Sequence, residues 1–318
     1  MTRNHAETVR SVAGSPNALG KAGFAASWRR SLIHHKIDPA AVQTGAPRLE
    51  SAATFVRREA AGRLLSVASP VLDRLARAAC DAGCAVLLSD AEGVILDERM
   101  RDGDTAYFHT ANLAPGANWS EGAQGTNGIG TCLVEQRPVV VWRDQHFRST
   151  NTGLTCMGAP VFGPEGDLAG GIDVSSVRHD MSEGYARLIA LTVQDAAHRI
   201  EAEIFRAEFG AARILSTGAG ESAPQGVMLL AIDRDDLIIG ATRAARRHLG
   251  ITAANMGCLP AADVLETGAV NGLDAAQRAV MSRALARAGG NVSAAARELG
   301  ISRATFYRKA KALKLTDA

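Results

Sequence analysis

Six polar side chains between positions 302 and 311 have the chemistry of a DNA contact. They are Ser302, Arg303, Thr305, Tyr307, Arg308 and Lys311. Arginine donates two parallel hydrogen bonds to guanine in the major groove, whereas hydroxyl and ammonium groups suit phosphates. Arg303 is the first long donor, so we expect it at a base edge, and Arg308 at a base edge or a phosphate. The other members are expected at the DNA backbone.

The spacing of apolar residues around these side chains predicts a helix-turn-helix. Two short amphipathic segments, Asn291–Leu299 and Ser302–Leu313, meet at a tight turn centred on Gly300. Ser302 is expected to cap the second segment, and Phe306 to pack that segment against the domain. In this arrangement the second helix lies in the major groove of DNA.

A further helix is predicted before these two, starting near Leu273. Asp274 is its expected N-cap, Gln277 stands three residues on as in a capping box, and Gly289-Gly290 is its expected end. Its buried face is expected to consist of Val280, Ala284 and Leu285.

The distribution of charge agrees with a DNA-binding segment. From Leu273 onward the chain has nine Lys and Arg against three Asp and Glu, a net charge of +6. The whole chain carries only +2, so residues 1–272 sum to −4. A basic end on an acidic body is typical of a nucleic-acid-binding domain carried by another domain.

Composition limits the classes that the rest of the chain can belong to. With 318 residues, 47% of them hydrophobic, we expect two or three folded domains. No apolar stretch approaches the ~18 residues of a membrane helix, and the first twenty residues lack a secretory pattern, so we expect a cytoplasmic protein with a flexible leader. Five cysteines at irregular spacing suit reduced thiols in a cytosol.

The middle of the chain alternates between strand and helix patterns. Hairpins are predicted around residues 90–93 and 163–166, and a helix over 126–136 is followed by a strand over 138–142. This order predicts an α+β fold with one sheet and helices against one of its faces. The glycine-rich segment Trp119–Thr131 matches neither a dinucleotide site nor a P-loop, and we expect its glycines to allow tight backbone turns.

A single long helix is predicted over Glu183–Glu208. Its apolar residues recur at steps of three and four, which favours a coiled-coil seam against a second copy. The residues of this seam are Ile189, Val193, Ala196, Ile200, Ile204 and Ala207. Packing of the same face on the helix's own domain stays open as the alternative.

Two parts of the chain resemble known families. The pattern GGN-x-S-x-A-A-R-x-L-G-I-S-R-x-T-x-Y-R-K at 289–309 resembles the helix-turn-helix of Fis-family regulators. SWRRS at 27–31, CLVEQRPVVV at 132–141, QHF at 145–147 and TCMGAPVFGPEGDLAGGIDVS at 155–175 resemble the N-terminal half of acetoin- and glycerol-type catabolic activators. In those activators this half is a GAF domain, a ligand-sensing fold related to PAS.

The resemblance implies four parts. Residues 1–54 would form a leader and helix, 55–208 a GAF-like sensor with a long signalling helix, 225–268 a PAS-like remnant and linker, and 269–318 an all-α Fis-type helix-turn-helix. Such activators usually carry a sigma-54 AAA+ ATPase domain between sensor and tail. No Walker A motif occurs in this sequence, so we expect no ATPase activity.

Five residues fall on segments expected to line the GAF-like pocket. They are Trp119, Cys132, His146, Phe147 and Cys156. One interpretation is an apolar effector site with a few polar groups. A second adds His109 to Cys132, Cys156 and His146 as an iron or redox site. The third interpretation, which we prefer for the cysteines, is that they are ordinary buried residues, and we assign no metal site.

Together these patterns predict a DNA-binding transcriptional regulator that is not an enzyme. We expect it to bind double-stranded DNA as a homodimer, with a small molecule or redox signal as effector, RNA polymerase as a further partner and no membrane contact. DNA binding requires no cofactor. Two alternatives stay open: a ligand-free dimeric antagonist or architectural DNA binder, and a GAF-type methionine sulfoxide reductase using Cys132 and Cys156.

Overall fold

A computed structural model of the protein describes residues 2–15, 24–41, 47–217, 226–265, 272–313 and 315. These residues divide into two compact units, Met1–Cys258 and Leu259–Ala318. Among the helices of the described part, none is both long and apolar enough to cross a membrane. The predicted linkers around residues 43–47 and 216–225 lie largely outside the described residues.

The first unit is built on a five-stranded antiparallel sheet in the order β2-β1-β5-β4-β3. The strands are β1 (Cys84–Asp90), β2 (Ile95–Arg99), β3 (Val139–Trp142), β4 (Thr155–Phe162) and β5 (Leu168–Ser176). Both predicted hairpins are present, with Leu88 opposite Asp97 in one and Ala159 opposite Ile172 in the other. The α+β, GAF-like fold class is therefore confirmed.

Helices cover both faces of this sheet, so the expectation of one covered face was incomplete. One face packs against α4 (Gly62–Ala79) and α8 (Glu183–Glu208), and the other against α5 (Thr105–Thr110) and α7 (Gly128–Glu135). Alternate residues of β1 enter the two cores, Val86 one and Leu87 the other. The continuous apolar run of β1 is typical of a strand buried on both faces, so it is the local signal that could have predicted the second helical layer.

The apolar face of α8 is filled by its own domain, and the coiled-coil interpretation of that face was wrong. The five seam residues from Ile189 to Ile204 are at most 7% exposed and pack on α4 and the sheet. A core helix and a coiled-coil helix share the same spacing of apolar residues, so periodicity could not separate the two.

The beginning of the chain is helical instead of a flexible leader. Helix α1 (Thr2–Gly14) buries Val9 and Ala13 against Trp28 and Phe147. Helix α2 (Ala25–Arg29) continues as a π-helical turn over Arg30–His34, followed by α3 (Ser51–Ala60). The sequence predicts one helical stretch over 54–81 with an interruption near Pro70, but α4 runs without a break through Pro70, which is exposed, and the interruption lies at Ala61.

A second, three-stranded antiparallel sheet follows α8 in the order β6-β7-β8. Its strands are β6 (Arg213–Ser216), β7 (Leu229–Ile232) and β8 (Ile238–Ala241), and α9 (Arg243–Leu249) comes next. The apolar pattern of the sequence predicts strands over 227–232 and 237–240 and a helix over 241–249, which agree with β7, β8 and α9, whereas it does not predict β6. Phe205 and Phe209 at the end of α8 pack into this sheet, which joins α8 to it.

The second unit is all-α. It consists of α10 (Ala261–Val264), α11 (Leu273–Arg287), α12 (Val292–Glu298) and α13 (Arg303–Ala312). The remaining α-helix of the described residues is α6 (Glu121–Gln124), a single turn in the first unit.

A buried ion pair explains the S-W-R-R-S motif. The Arg30 guanidinium donates to both carboxylate oxygens of Glu121, at 2.7 and 3.0 Å, and to Glu135 at 2.6 Å. Glu121 is 1% exposed and also accepts from Ser27 at 2.8 Å. The nearby Trp28 indole donates to the Gln145 carbonyl at 2.8 Å. The motif thus connects α2 to the glycine-rich segment and to the loop after β3.

We expect Arg30→Ala to lower the free energy of unfolding by about 3 kcal/mol, because it leaves the Glu121 carboxylate buried without its partner. Adding Glu121→Gln should recover part of that loss, since the buried charge is then gone. Urea denaturation of the variants measures both effects. Arg187→Ala removes an exposed pair with Glu183 and serves as the control, with an expected loss below about 0.5 kcal/mol. Equal losses for Arg30→Ala and Arg187→Ala would contradict this account.

Candidate nucleic-acid interface and sensor core

Side-chain caps begin both helices of the helix-turn-helix. The Asn291 side chain accepts from the Ala294 amide at 3.1 Å at the start of α12. Ser302 accepts from the Thr305 amide at 3.1 Å at the start of α13, and the two hydroxyls lie 2.8 Å apart. These bonds satisfy amides that have no partner within their helices, which fixes where each helix begins. Gly300 has φ +66° in the turn between them, a backbone conformation that favours glycine.

A small apolar core holds α13 in place. Phe306 and Ala310 are each 1% exposed and pack with Met281, Ala284 and Ala295. This core restricts rotation of α13 about its own axis, so the opposite face of the helix is fixed toward solvent.

The solvent face of α13 carries most of the side chains predicted to contact DNA. Ser302, Arg303, Tyr307, Arg308 and Lys311 are exposed, and Thr305 is half-buried. The Arg303 guanidinium lies over the Tyr307 ring, 5.6 Å from its centroid. Stacking of this kind restricts a long side chain before any partner arrives. The structure therefore brings the six predicted residues together on one short helix and its cap.

Other basic residues nearby are already engaged. Arg287 donates to Glu298 at 2.9 Å, and Lys309 donates to Gln277 at 2.9 Å, which braces α13 against α11. These two contacts separate cations that hold the unit together from those that face solvent.

The first helix of this unit differs from its prediction in detail. Helix α11 starts after Gly272 without a side-chain cap, so Asp274 and Gln277 do not form the expected capping box. Val280 is 42% exposed, and Met281 takes the buried position that we gave to Val280. Lys309 engages Gln277 from a distant part of the sequence, a contact that local spacing does not reveal.

The five residues predicted to line an effector site are packed into the interior of the first unit. Trp119, Cys132, His146, Phe147 and Cys156 are at most 2% exposed. Trp119 and the two cysteines belong to the core between α7 and the sheet, whereas Phe147 packs under α1. A ligand at this place would have to displace packed side chains, and the assignment of these residues to an effector site stays a prediction.

A chain of buried polar groups runs through this core. His146 Nε2 lies 3.3 Å from Cys156 Sγ, which lies 3.2 Å from Ser175 Oγ. Ser175 in turn donates to Asp173 Oδ2 at 2.5 Å, while Asp173 Oδ1 has no hydrogen-bond partner among the residues that the structure describes. The sequence analysis missed Asp173 and Ser175. Asp173 and Ser175 interrupt the otherwise apolar start of the run GGIDVSS, and this is the signal that could have found them.

Burial sets the protonation of these groups. It lowers the pKa of His146 to about 4 and raises that of Asp173 to about 6. It also raises the pKa of the Cys132 and Cys156 thiols well above the ordinary value. Both thiols are therefore protonated and shielded from solvent near neutral pH, whereas a catalytic cysteine needs an accessible thiolate. The geometry gives no support to the sulfoxide reductase alternative.

His109 lies outside the series of polar groups from His146 to Asp173. Its ring contacts the Glu98 carboxylate at 2.9 Å, at the edge of β2. Within the described residues, no group of three or more His, Cys, Asp and Glu side chains is placed to hold a metal ion.

The glycines of the Trp119–Thr131 segment permit close packing of α7 on the sheet. A Cβ at Gly128 would overlap Asp173 Oδ1 and lie 2.5 Å from the Cys156 Cβ. The sequence predicts Thr126 as the cap of this helix, but the Asn127 side chain caps it by accepting from the Gly130 amide at 2.8 Å. This confirms that the motif serves tight backbone packing.

Two cavities of the first unit lie away from these residues. An apolar groove of about 370 Å³ runs between the outer sides of α4 and α8. A basic cavity of about 280 Å³ lies where the edge of the five-stranded sheet meets α8 and α9. Neither is lined by any of the five residues predicted for the effector site.

Comparison with known families agrees with this two-part organisation. The family described as "MimR, N-terminal domain" matches residues 3–197. The family described as "Bacterial regulatory protein, Fis family" matches residues 272–313, which are α11 to α13.

Known relatives are bacterial regulators. The acetoin catabolism regulatory protein of Cupriavidus necator is 30% identical over 248 residues, which cover 75% of this chain and 36% of that protein. The propane 2-monooxygenase operon transcriptional activator MimR of Mycolicibacterium smegmatis is 36% identical over 102 residues, 32% of this chain and 18% of that protein. The chain thus spans about a third or less of the length of these relatives.

One solved structure shares the fold over most of the chain. It is the complex of Escherichia coli DhaR(N) with DhaL, with a TM-score of 0.52 at 15% identity. The match covers 76% of this chain and 81% of that one.

We expect Asp173→Asn to change how stability depends on pH. The raised pKa means that the folded state holds its proton up to about pH 6, whereas the unfolded chain releases it near pH 4. The parent therefore loses stability as pH rises through this window. The free energy of unfolding of the variant, minus that of the parent, should increase by about 2–3 kcal/mol between pH 4 and 7.

Denaturant unfolding at several pH values measures this difference. Burial lowers the pKa of His146, so its titration raises the stability of the folded state as pH rises, opposite to Asp173. The stability of the variant is therefore compared with that of the parent at each pH. Ser175→Ala removes the bond that favours ionised Asp173, and should extend the parent's decline to higher pH. A difference that does not vary with pH would rule out a proton on Asp173.

Proposed function

Since the chain belongs to the family defined by the MimR N-terminal domain and also carries a Fis-family helix-turn-helix, we propose that it is a sequence-specific DNA-binding transcriptional regulator. Its GAF-like domain would sense a small molecule or a redox signal. It binds double-stranded DNA in the cytoplasm, and RNA polymerase is a further partner. It acts without ATPase or other catalytic activity.

The observation that supports this proposal is that α13 has one buried side and one basic side facing solvent. Phe306 and Ala310 anchor one side of the helix, while Arg303, Arg308 and Lys311 face solvent on the other. A helix fixed in orientation by its core, with donors aligned on its free side, suits the major groove. The positive charge of the unit attracts the phosphate backbone irrespective of sequence.

We propose that each exposed residue has the role expected from its position. Arg303 stands at the start of α13, the end that enters the groove, and its stacking on Tyr307 prepares it for a base edge. Arg308 would contact a base edge or phosphate. The hydroxyls of Ser302 and Thr305, the Tyr307 phenol and Lys311 would contact the backbone.

We further propose that the protein is a homodimer, with an interface different from the one that the sequence suggested. Leu188 and Leu191 on α8 are 61% and 60% exposed, beside the apolar groove between α4 and α8. Arg74, Asp195 and Arg199 line the same groove. Two-fold pairing can place Asp195 of one copy near a cation of the other, and it matches how paired helix-turn-helix units read two half-sites.

We expect Arg303→Ala to weaken operator binding by about 1–3 kcal/mol and to relax specificity at one base position. Lys311→Ala should weaken binding to all sequences alike and reduce the salt-dependence slope by about one unit. Binding isotherms at several salt concentrations, on the operator and on a scrambled duplex, separate the two effects.

Arg234→Ala is the control, since this arginine lies in the first unit and is 94% exposed. Operator binding by Arg303→Ala equal to that of the parent would mean that the recognition helix is placed wrongly. Equal binding of the parent to operator and scrambled duplexes would refute a sequence-specific regulator.

The dimer interface predicts a second result. Leu188→Glu combined with Leu191→Glu places charges on the groove face without touching the core, so sedimentation should show folded monomers. Tyr107→Glu changes another exposed apolar residue, 58% exposed, and should leave the dimer intact. If the double variant stays dimeric, the copies pair through a different surface.

A further inference from the structure

The basic cavity of about 280 Å³ has two kinds of wall. Pro160 and Phe162 of β4 and Ala197 of α8 give it an apolar side. Arg243 and Arg247 of α9 lie on the other side. A cavity with an apolar wall and a few converging polar groups is the usual form of a small-molecule site, and this volume is at the small end of that range.

Arg243 is held in position before any ligand arrives. Its guanidinium lies over the Phe162 ring, 3.9 Å from the centroid, and donates to Gln136 Oε1 at 2.6 Å. Burial and the neighbouring Arg247 lower the pKa of Arg243, although the group keeps its charge at any physiological pH. A guanidinium that is stacked and bonded on one edge still offers donors on its other edge.

Cations outnumber anions around the cavity. Arg247 has no hydrogen-bond or ion-pair partner within the described part of the chain, and Arg137 has only a 3.7 Å contact with Glu135. Glu201 is the carboxyl group among the lining residues, and one of its oxygens accepts from the Phe162 amide at 3.1 Å. Burial raises the pKa of Glu201 to about 7, so near neutral pH it offsets the arginines only in part. Burial also lowers the pKa of His198, which favours its neutral form.

We propose that this cavity binds a small organic carboxylate with an apolar body. Arg243 and Arg247 bind the carboxylate group, and the wall of Pro160, Phe162 and Ala197 takes the apolar part. Guanidinium groups match carboxylates in geometry and charge. An inorganic anion would leave the apolar wall uncovered, and a neutral molecule would leave the positive charge of the two arginines unbalanced.

The location gives such a ligand a structural consequence. Arg243 begins α9, separated by Thr242 from the end of β8 in the three-stranded sheet, whereas Phe162 ends β4 of the five-stranded sheet. A carboxylate bound to Arg243 against Phe162 would therefore connect the PAS-like remnant to the GAF-like domain within the first unit. A regulatory effect of the ligand rests on the proposed function. Binding of the carboxylate does not depend on that function and can be measured without DNA.

The test uses benzoate as the probe, with benzyl alcohol as its neutral counterpart and inorganic phosphate as the anion without an apolar body. Isothermal titration of the full chain should detect benzoate binding, with at least tenfold weaker binding of the other two. Benzoate should also raise the melting temperature of the protein, since it binds the folded state. Failure to bind benzoate, or equal binding of phosphate or of benzyl alcohol, overturns the proposal.

Variants locate the site. Arg247→Gln changes an exposed residue and should weaken benzoate binding at least tenfold without altering the fold, and Arg243→Gln should do the same. Glu201→Gln removes the remaining negative charge and should tighten binding. Arg234→Gln, outside the cavity, is the matched control and should bind as the parent does. Unchanged affinity in both Arg243→Gln and Arg247→Gln would overturn the proposal, even if benzoate binds the protein elsewhere.

Discussion

The first unit depends on one buried charge. Glu121 cannot remain ionised in the interior without a cation, and Arg30 supplies one from the π-helical turn after α2. Because Arg30 also bonds Glu135 at the end of α7, this single side chain ties three segments of the chain together. The pair raises the pKa of the Arg30 guanidinium above its usual value, which shows how strongly the charged form is favoured. This contact holds the glycine-rich segment at Glu121 against the turn after α2.

The position of that segment in turn determines what the core can do. Helix α7 lies close enough to the sheet that Gly128 meets Asp173 and Cys156 directly. This leaves the thiols protonated and out of reach of solvent, which disfavours cysteine chemistry. It also leaves a polar chain from His146 to Asp173 inside an apolar core. Buried polar groups of this kind are costly unless bonded, and burial raises the pKa of Asp173 to about 6 because the bond from Ser175 offsets that cost only in part.

The two units differ in how much apolar core stabilises their helices. The second has about forty residues of helix-turn-helix around Phe306, and side-chain caps at Asn291 and Ser302 define its helices where its core is small. The first has two cores on either side of a sheet and buries one whole face of α8, while Leu188 and Leu191 on the outer face stay exposed. A domain with that much core can present grooves at its surface, at the outer side of α8 and beside α9, without loss of its fold.

The sequence alone determined the elements whose signals are local. The Ser302 cap, the turn at Gly300 and the helical spacing of apolar residues around Phe306 predicted α12 and α13. Turn residues predicted both hairpins. It failed where the outcome depends on contacts between distant residues. The stripe from Ile189 to Ile204 has one periodicity, and only the tertiary structure decided that its partner is the domain's own sheet. Likewise, no spacing could show that Lys309 reaches Gln277, or that Arg243 meets Phe162 beside a cavity, because these contacts join residues 32 and 81 positions apart.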